Sequence, residues 1–133
     1  MTIPIHWFEA FNSGFEEIDE SHKRVINEFN KLIETYQLKD VSQLDGFFQK
    51  VIYLAENHFA EEEIILEKHN FPDLKNHSVE HKETIQELEK FKSNLKNIAA
   101  NEFVNFSLIY VRDYWVHHMF SEVIEFQRFN QTN

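Results

Sequence analysis

The chain has 133 residues with 13 basic and 23 acidic side chains, and its net charge of −10 disfavours nucleic acid and anionic membrane surfaces as partners. Two glycines and two prolines argue against turn-rich β folds, and the lack of cysteine excludes disulfides, thiolate nucleophiles and iron–sulfur clusters. No secretory signal or membrane-length apolar run is visible, so we expect one soluble cytoplasmic domain that acts as a monomer.

An N-terminal arm, residues 1–17, precedes four amphipathic segments, and its apolar side chains predict packing against the domain. Apolar residues at steps of three and four predict helices at about 19–36, 42–68, 73–98 and 102–129. Asp19 is the expected cap of the first helix, and residues 130–133 are expected to fray. Pro72 lies in the connection between the second and third helices, where it ends the helical pattern. Four long helices with short connections predict an all-α, up-down-up-down four-helix bundle.

Each predicted helix carries histidine, or histidine with glutamate, on its apolar stripe. Three helices carry two such residues four positions apart, which places both side chains on one helix face. In an antiparallel bundle these residues fall at the same end, because they lie near the start of the odd helices and in the second half of the even ones. The set comprises His22, His58, Glu62, His77, His81, His118 and Glu122.

A metal centre would satisfy all of these groups together. Buried polar side chains without partners would cost several kcal/mol each, and seven of them would exceed the roughly 5–15 kcal/mol by which a domain is stable. Imidazole and carboxylate bind divalent transition metals, iron among them, although manganese or zinc fits similar donors. Five imidazoles and two carboxylates are too many for one ion. We therefore predict two iron ions bridged by Glu62, Glu122 and a hydroxide or oxo group.

The ligand count also predicts that the two ions differ. An iron bound by His77, His81 and His118 and by the three bridges is six-coordinate and saturated. The other iron, bound by His22 and His58 and the same bridges, keeps one open position for a small ligand. Only the second ion is therefore expected to accept an external molecule.

The chain contains several motifs in a fixed order: Trp7, the segment GFEEIDESH at 14–22, HFAEE at 58–62, Phe71-Pro72 and His77-x-x-x-His81. This set resembles the hemerythrins, and most closely the single-domain bacteriohemerythrins, over nearly the whole chain. The resemblance implies reversible O₂ binding at a non-haem di-iron centre (Fe²⁺/Fe³⁺), for oxygen storage, delivery or sensing, and no enzymatic activity. It implies O₂ as the partner, with an oxygen-requiring enzyme as a candidate recipient.

The fourth helix departs from the family pattern, in which aspartate follows histidine after five residues. His117 with Glu122 keeps that spacing but changes the carboxylate, whereas His118 with Glu122 matches the His-x-x-x-Glu of broader hemerythrin-like domains. The residue three before His118 is the apolar Trp115, while Asp113 lies four before His117 and suits an outer face. We therefore favour His118. The changed carboxylate leaves reversible binding and reduction of O₂ as alternatives.

Apolar neighbours of the open iron predict a pocket that limits the entry of water and protons. Its expected lining is Ile26, Leu54, Val111 and Trp115. Glu61 and Glu63, which flank a ligand, are expected to face solvent or neighbouring helices. Two other classes stay open: a di-iron enzyme (peroxidase, oxidase or nitric oxide reductase) and an iron-handling or repair protein. The ligands lack the Glu-x-x-His motif of ferritin-like oxidases, which favours O₂ binding.

Overall fold

The structure is a computed structural model that describes residues 5–7, 9–36, 44–94 and 102–132. It contains four helices, α1 (Glu16–Tyr36), α2 (Leu44–Lys68), α3 (Leu74–Asn94) and α4 (Glu102–Thr132), after a single 3-10 turn (Glu9–Phe11). The described ranges hold no β-strand, and the predicted all-α four-helix bundle is confirmed. Within these ranges, no helix has an apolar stretch that would cross a lipid bilayer.

Aromatic contacts show that helices adjacent in sequence run antiparallel. Phe59, late in α2, stacks on His81 near the start of α3, and Phe48, early in α2, contacts Phe91 near the end of α3. Equivalent ring contacts join α1 to α2 and α3 to α4 at both ends. The start of each odd helix therefore lies beside the end of the next even helix.

The start of α1 differs from the prediction, because Asp19 does not cap the helix. The Phe15 carbonyl accepts the first helical hydrogen bond from the Asp19 N–H at 3.0 Å, so the helix begins at Glu16. The Asp19 carboxylate instead accepts the Ser13 N–H at 2.8 Å. Gly14 lies between them at a φ of 92°, which glycine adopts without steric cost. This turn joins the arm to the first turn of α1.

The far end of the chain also differs from the prediction. The helix α4 continues to Thr132, whereas fraying was expected from residue 130. The predicted first turn of α2, at 42–43, and the predicted last turn of α3, at 95–98, lie outside the described residues.

A Schellman turn connects α2 to α3. Asn70 adopts a left-handed φ of 57°, its N–H donates to the Glu67 carbonyl, and the Phe71 N–H donates to the Leu66 carbonyl, both at 3.0 Å. Phe71 then packs in the same buried cluster as Leu66. Pro72 follows, where it cannot prolong the helix. The turn reverses the chain directly and places α3 beside α2.

The buried interior has three layers along the bundle axis. A large apolar cluster, which includes Val25, Ala55 and Trp115, fills one end. A small apolar cluster fills the other end and contains Ile18, Ile65, Leu66, Phe71 and Phe126. Between the two clusters each helix places its histidines or glutamates, and we call these seven side chains the polar layer. Its members are His22, His58, Glu62, His77, His81, His118 and Glu122.

The N-terminal arm lies against the large apolar cluster. Ile5 and Asn30 exchange two hydrogen bonds: the Ile5 N–H donates to Oδ1 at 2.9 Å, and Nδ2 donates to the Ile5 carbonyl at 2.8 Å. Phe11 is buried and stacks on Phe120 of α4 at 4.7 Å. The arm therefore links α1 to α4 across the end of the bundle that holds the large cluster.

Candidate metal centre

The structure brings together all seven side chains that the sequence singled out. Six of them are at most 3% exposed, and the side chain of His118 is 14% exposed. His117, the alternative residue on α4, is exposed. Spacing along four separate helices therefore converges on one buried layer, with His118 and not His117 beside the other members.

The Glu62 carboxylate lies at the centre of the polar layer. Its Oε1 accepts hydrogen bonds from Nε2 of His77 at 2.9 Å and of His81 at 3.1 Å. Its Oε2 accepts one from Nε2 of His22 at 3.1 Å and lies 3.1 Å from Nε2 of His58. One carboxylate thus separates two pairs of imidazoles, with one oxygen facing each pair. A carboxylate that bridges two cations needs this arrangement.

Glu122 faces both groups of imidazoles from the opposite helix. Its Oε2 lies 3.6 Å from Nε2 of His77 and 3.9 Å from Nε2 of His22. Its Oε1 lies 3.7 Å from Nε2 of His81 and contacts Nε2 of His118. We call His77, His81 and His118 the three-imidazole side of the layer, and His22 and His58 the two-imidazole side.

Several ligand atoms in the layer are buried without a hydrogen-bond partner. They are both oxygens of Glu122 and Nε2 of His58 and His118. His58 approaches Glu62 closely, but not in hydrogen-bond geometry. Each unpaired buried polar atom costs about 1–3 kcal/mol, and coordination to a cation would remove that cost.

Two groups of ligand atoms are compact enough to surround a cation, with all atoms of a group within 4.8 Å of one another. One group consists of Glu62, His77, His81 and Glu122, and the other of His22, His58 and Glu62. Since Glu62 belongs to both groups, the donors fit two cations that share this carboxylate.

In the metal-free protein the polar layer balances its charge with protons. Burial alone would lower the pKa of His77, but the close carboxylates of Glu122 and Glu62 and their negative charges outweigh burial and raise the pKa to about 10. The same causes raise the pKa of His81 to about 9. Burial would raise the pKa of Glu62, but the neighbouring imidazoles of His58 and His22 hold its pKa well below 4.5. Protons and cations therefore compete for the same nitrogens.

The Nδ1 atoms of the histidines, which do not contact Glu62 or Glu122, are the outer ring nitrogens of the layer. On the two-imidazole side they have a neutral hydrogen-bond partner or none. Nδ1 of His58 shares a buried hydrogen bond of 3.0 Å with the Ser21 hydroxyl. Nδ1 of His22 is buried without a partner. If Nε2 of His58 binds a cation, the ring proton lies on Nδ1, and Ser21 accepts it.

The outer nitrogens of the α3 histidines face carboxylates instead. Nδ1 of His81 donates to Glu63 Oε2 at 3.4 Å, and Nδ1 of His77 lies 3.9 Å from Glu125 Oε2. Glu63 was expected to face solvent or a neighbouring helix, and it lies half-buried against α3. Sequence reasoning missed the roles of Ser21, Glu63 and Glu125. The one available signal was their position one or three residues from a predicted ligand.

The four residues expected to line an O₂ pocket lie on the side of the large apolar cluster. Ile26, Val111 and Trp115 are buried members of that cluster, and Leu54 is half-buried against it. The Trp115 ring lies 6.0 Å from the His58 ring, edge to face, and its Nε1–H is buried without a partner. Among the four, Trp115 thus contacts a member of the two-imidazole side.

Phe59 forms part of the apolar surroundings although sequence reasoning did not assign it to them. Its ring stacks on His81 at 4.0 Å and meets the His118 ring edge-on at 5.1 Å. It also lies 6.0 Å from the Trp115 ring. Phe59, itself a member of the large cluster, therefore covers the three-imidazole side with an apolar ring.

The fold and the layer together define a cation-binding helical bundle whose site is built from histidine and glutamate. The model of the hemerythrin HHE cation binding domain family matches residues 13–126. Because this match covers most of the chain, the chain belongs to that family, and the resemblance stated from its motifs is confirmed. The di-iron cofactor predicted from the ligands is the one that this family holds, and the layer has donors for it.

Individual relatives carry the same family name. A bacteriohemerythrin from Clostridium acetobutylicum is 30% identical over 100 residues, which cover 72% of this chain and 76% of that protein. A myohemerythrin from Theromyzon tessulatum is 27% identical over 90 residues, or 68% of this chain and 70% of that protein. A bacteriohemerythrin from Pseudomonas aeruginosa is 24% identical over 86 residues, and the match spans 56% of its length.

Proposed function

We propose that this chain binds O₂ reversibly at a pair of iron ions held by the polar layer. The observation that carries the proposal is the Glu62 carboxylate, whose two oxygens face two separate groups of imidazoles. With three imidazoles on one side and two on the other, the layer would leave a second bound ion with a free coordination position. When bound, the iron pair supplies two-electron redox chemistry that reverses when O₂ leaves.

The protein's own side chains favour binding over oxidation of a substrate. Five imidazoles and two carboxylates form the layer, whereas ferritin-like oxidases use mostly carboxylates and Glu-x-x-His motifs. The carboxylates of Glu62 and Glu122 offset part of the charge of two cations. The apolar clusters at both ends of the layer restrict water, which protects the reduced ions from loss of electrons.

The side chains that border the two-imidazole side are proposed to form the O₂ pocket. Ile26 lies one helical turn from His22, and Trp115 contacts the His58 ring. A polar atom at Ile26 should admit water and speed autoxidation of the oxygenated protein. Ile26→Thr should therefore autoxidise faster than Ile33→Thr, a matched change in the same cluster two turns further away. Equal rates would remove Ile26 from the pocket.

The visible spectrum of the iron-loaded protein tests the function. Metal-free protein is loaded anaerobically with two Fe²⁺ per chain and measured before O₂, after O₂ and after flushing with argon. We expect a band that appears with O₂ and disappears with argon over repeated cycles. A band that forms once and gives way to a stable oxidised spectrum would support the di-iron enzyme instead. The absence of any O₂-dependent band would refute the proposal.

Adjacent histidines on α4 provide a matched control for the ligand assignment. His118 lies beside Glu122 in the layer, whereas His117 is exposed. His118→Gln should lose the reversible band, and His117→Gln should keep it. The opposite result would assign His117 as the ligand.

We place this activity in the cytoplasm and assign it to a monomer that stores, delivers or senses O₂. An oxygen-requiring enzyme is the proposed recipient in the case of delivery. Sedimentation of the iron-loaded protein with and without O₂ tests the monomer, and a dimer in either state would contradict it.

A further inference from the structure

The outer hydrogen bond of the three-imidazole side goes to a carboxylate, whereas that of the two-imidazole side goes to a hydroxyl. The charge of Asp19 also acts on His22, but the structure shows no hydrogen bond between them. Glu63 Oε2 accepts a hydrogen bond from Nδ1 of His81 at 3.4 Å. Glu125 Oε2 lies 3.9 Å from Nδ1 of His77, close enough to add charge but not to form a hydrogen bond. Ser21 offers His58 only a hydroxyl, at 3.0 Å, and Nδ1 of His22 has no partner. The two cation positions therefore have unlike surroundings beyond their direct ligands.

This difference changes how strongly each side attracts a cation. A carboxylate behind an imidazole makes the opposite nitrogen a stronger donor, because it accepts the ring N–H and raises the basicity of the ring. It also adds a negative charge close to the cation. A hydroxyl orients the ring and selects the nitrogen that carries the proton, but it adds no net charge.

We infer that the two cation positions fill in a set order, the three-imidazole side first, and that Glu63 and Ser21 are the positioning residues that set it. The inference rests on the proposed two-cation site. The three-imidazole side also gathers both carboxylates, Glu62 and Glu122, around its histidines, whereas the compact group on the other side includes only Glu62. A cation on the first side then repels the second cation, which widens the difference in affinity.

Anaerobic titration of metal-free protein with Co²⁺ tests the order without involving O₂. Cobalt absorption reports the coordination of each ion, and calorimetry reports each affinity. Wild-type protein should bind two Co²⁺ in two resolved steps. Glu63→Gln should weaken the tighter step by about 10- to 100-fold, as loss of an outer contact to a ligating histidine does. Ser21→Ala should weaken the weaker step by about tenfold and leave the tighter step unchanged.

Two control variants match these substitutions. Glu67→Gln removes the same charge from an exposed position of α2, and Ser78→Ala removes the same hydroxyl from a position beside His77. Both controls should bind Co²⁺ like the wild type. Circular dichroism verifies the helix content of each variant, and Glu125→Gln replaces Glu63→Gln if that variant fails to fold.

Each outcome decides the inference. If Glu63→Gln and Ser21→Ala both bind two Co²⁺ with wild-type affinities, the inferred filling order is overturned, although the two-cation site stands. An effect of Glu63→Gln on the weaker step, or of Ser21→Ala on the tighter step, would overturn it as well. Wild-type protein that binds one Co²⁺ or none would refute the two-cation site itself, and with it the proposed function.

Discussion

Raising the pH should tighten metal binding steeply, because protons and cations compete for the same imidazole nitrogens. In the metal-free layer, Glu122 and Glu62 raise the pKa of His77 to about 10 and that of His81 to about 9, against the opposing effect of burial. Both rings are therefore protonated at neutral pH. Each must lose a proton before its Nε2 coordinates a cation. Loading should release at least two protons per chain.

The size of the effect follows from these two pKa values. At about pH 7 the protonated form of a group with a pKa of about 10 outnumbers its neutral form about a thousandfold. For a group with a pKa of about 9 the ratio is about a hundredfold. The logarithm of the apparent affinity should therefore rise by about two per pH unit up to about pH 9, and by about one from there to about pH 10. One pH unit above neutrality should tighten binding about a hundredfold.

Competition with a chelator of known pH dependence measures this slope, with Zn²⁺ as the probe because it has no redox chemistry. The titration is repeated between about pH 6.5 and about pH 8.5, where both imidazoles are protonated. His81→Gln should lower the slope by about one. His117→Gln, which removes an exposed histidine of α4, should leave the slope unchanged.

Two results would refute this reasoning. A Zn²⁺ affinity that does not change with pH, after correction for the chelator, would show that the layer holds no displaceable protons. An unchanged slope in His81→Gln would show that the proton on His81 is not one of those displaced. A pH-stat measurement of protons released on loading provides an independent count.

Three further predictions concern stability. Because the pKa of His77 and His81 is raised in the folded state, metal-free protein should lose stability as the pH rises from about 6.5 to about 10, measured as a falling Tm with EDTA present; a rising Tm would contradict it. Trp115→Phe keeps an aromatic ring and removes an N–H that has no partner. Urea unfolding should therefore show a free energy of unfolding lowered by less than about 1.5 kcal/mol, against about 3–5 kcal/mol for Trp115→Ala. Equal losses in the two variants would contradict this prediction. Because Asn70 has a left-handed φ, Asn70→Ala should lower the free energy of unfolding by about 1–2 kcal/mol, whereas Asn70→Gly should not lower it. Chemical unfolding of both variants tests this difference.

The polar layer was accessible from the sequence because it depends on helix periodicity. Residues four apart, such as His58 with Glu62 and His77 with His81, share a helix face wherever the neighbouring helices lie. The direction of each helix in an antiparallel bundle then decides at which end these faces meet. Neither step requires a distance between helices, and the structure places the side chains together accordingly.

The outer contacts were not accessible in this way, because they depend on distances between helices. Glu63 follows Glu62 directly, so it lies about 100° further around α2, where solvent or a neighbouring helix was expected. Only the position of α3 brings it to His81. Ser21 meets His58 for the same reason, across the gap between α1 and α2.

The start of α1 was mispredicted for a local reason. Asp19 has a side chain typical of a helix cap, and the pattern of residue types assigned it that role. In the structure its carboxylate accepts the Ser13 N–H, because Gly14 turns the chain back with a positive φ. A backbone dihedral of this kind leaves no trace in hydrophobic periodicity.

The turn at Asn70 also affects how the site is assembled as the chain folds. Four of the seven members of the polar layer lie on the hairpin of α2 and α3, within residues 58–81. The entropy lost in gathering these four is that of closing a short loop, and contacts so close in sequence form early. His22 on α1 and the pair on α4 then complete the polar layer. The set of ligands is therefore complete only when the first and the last helix of the sequence have both packed against this hairpin. Binding of a second ion would then report that all four helices have assembled.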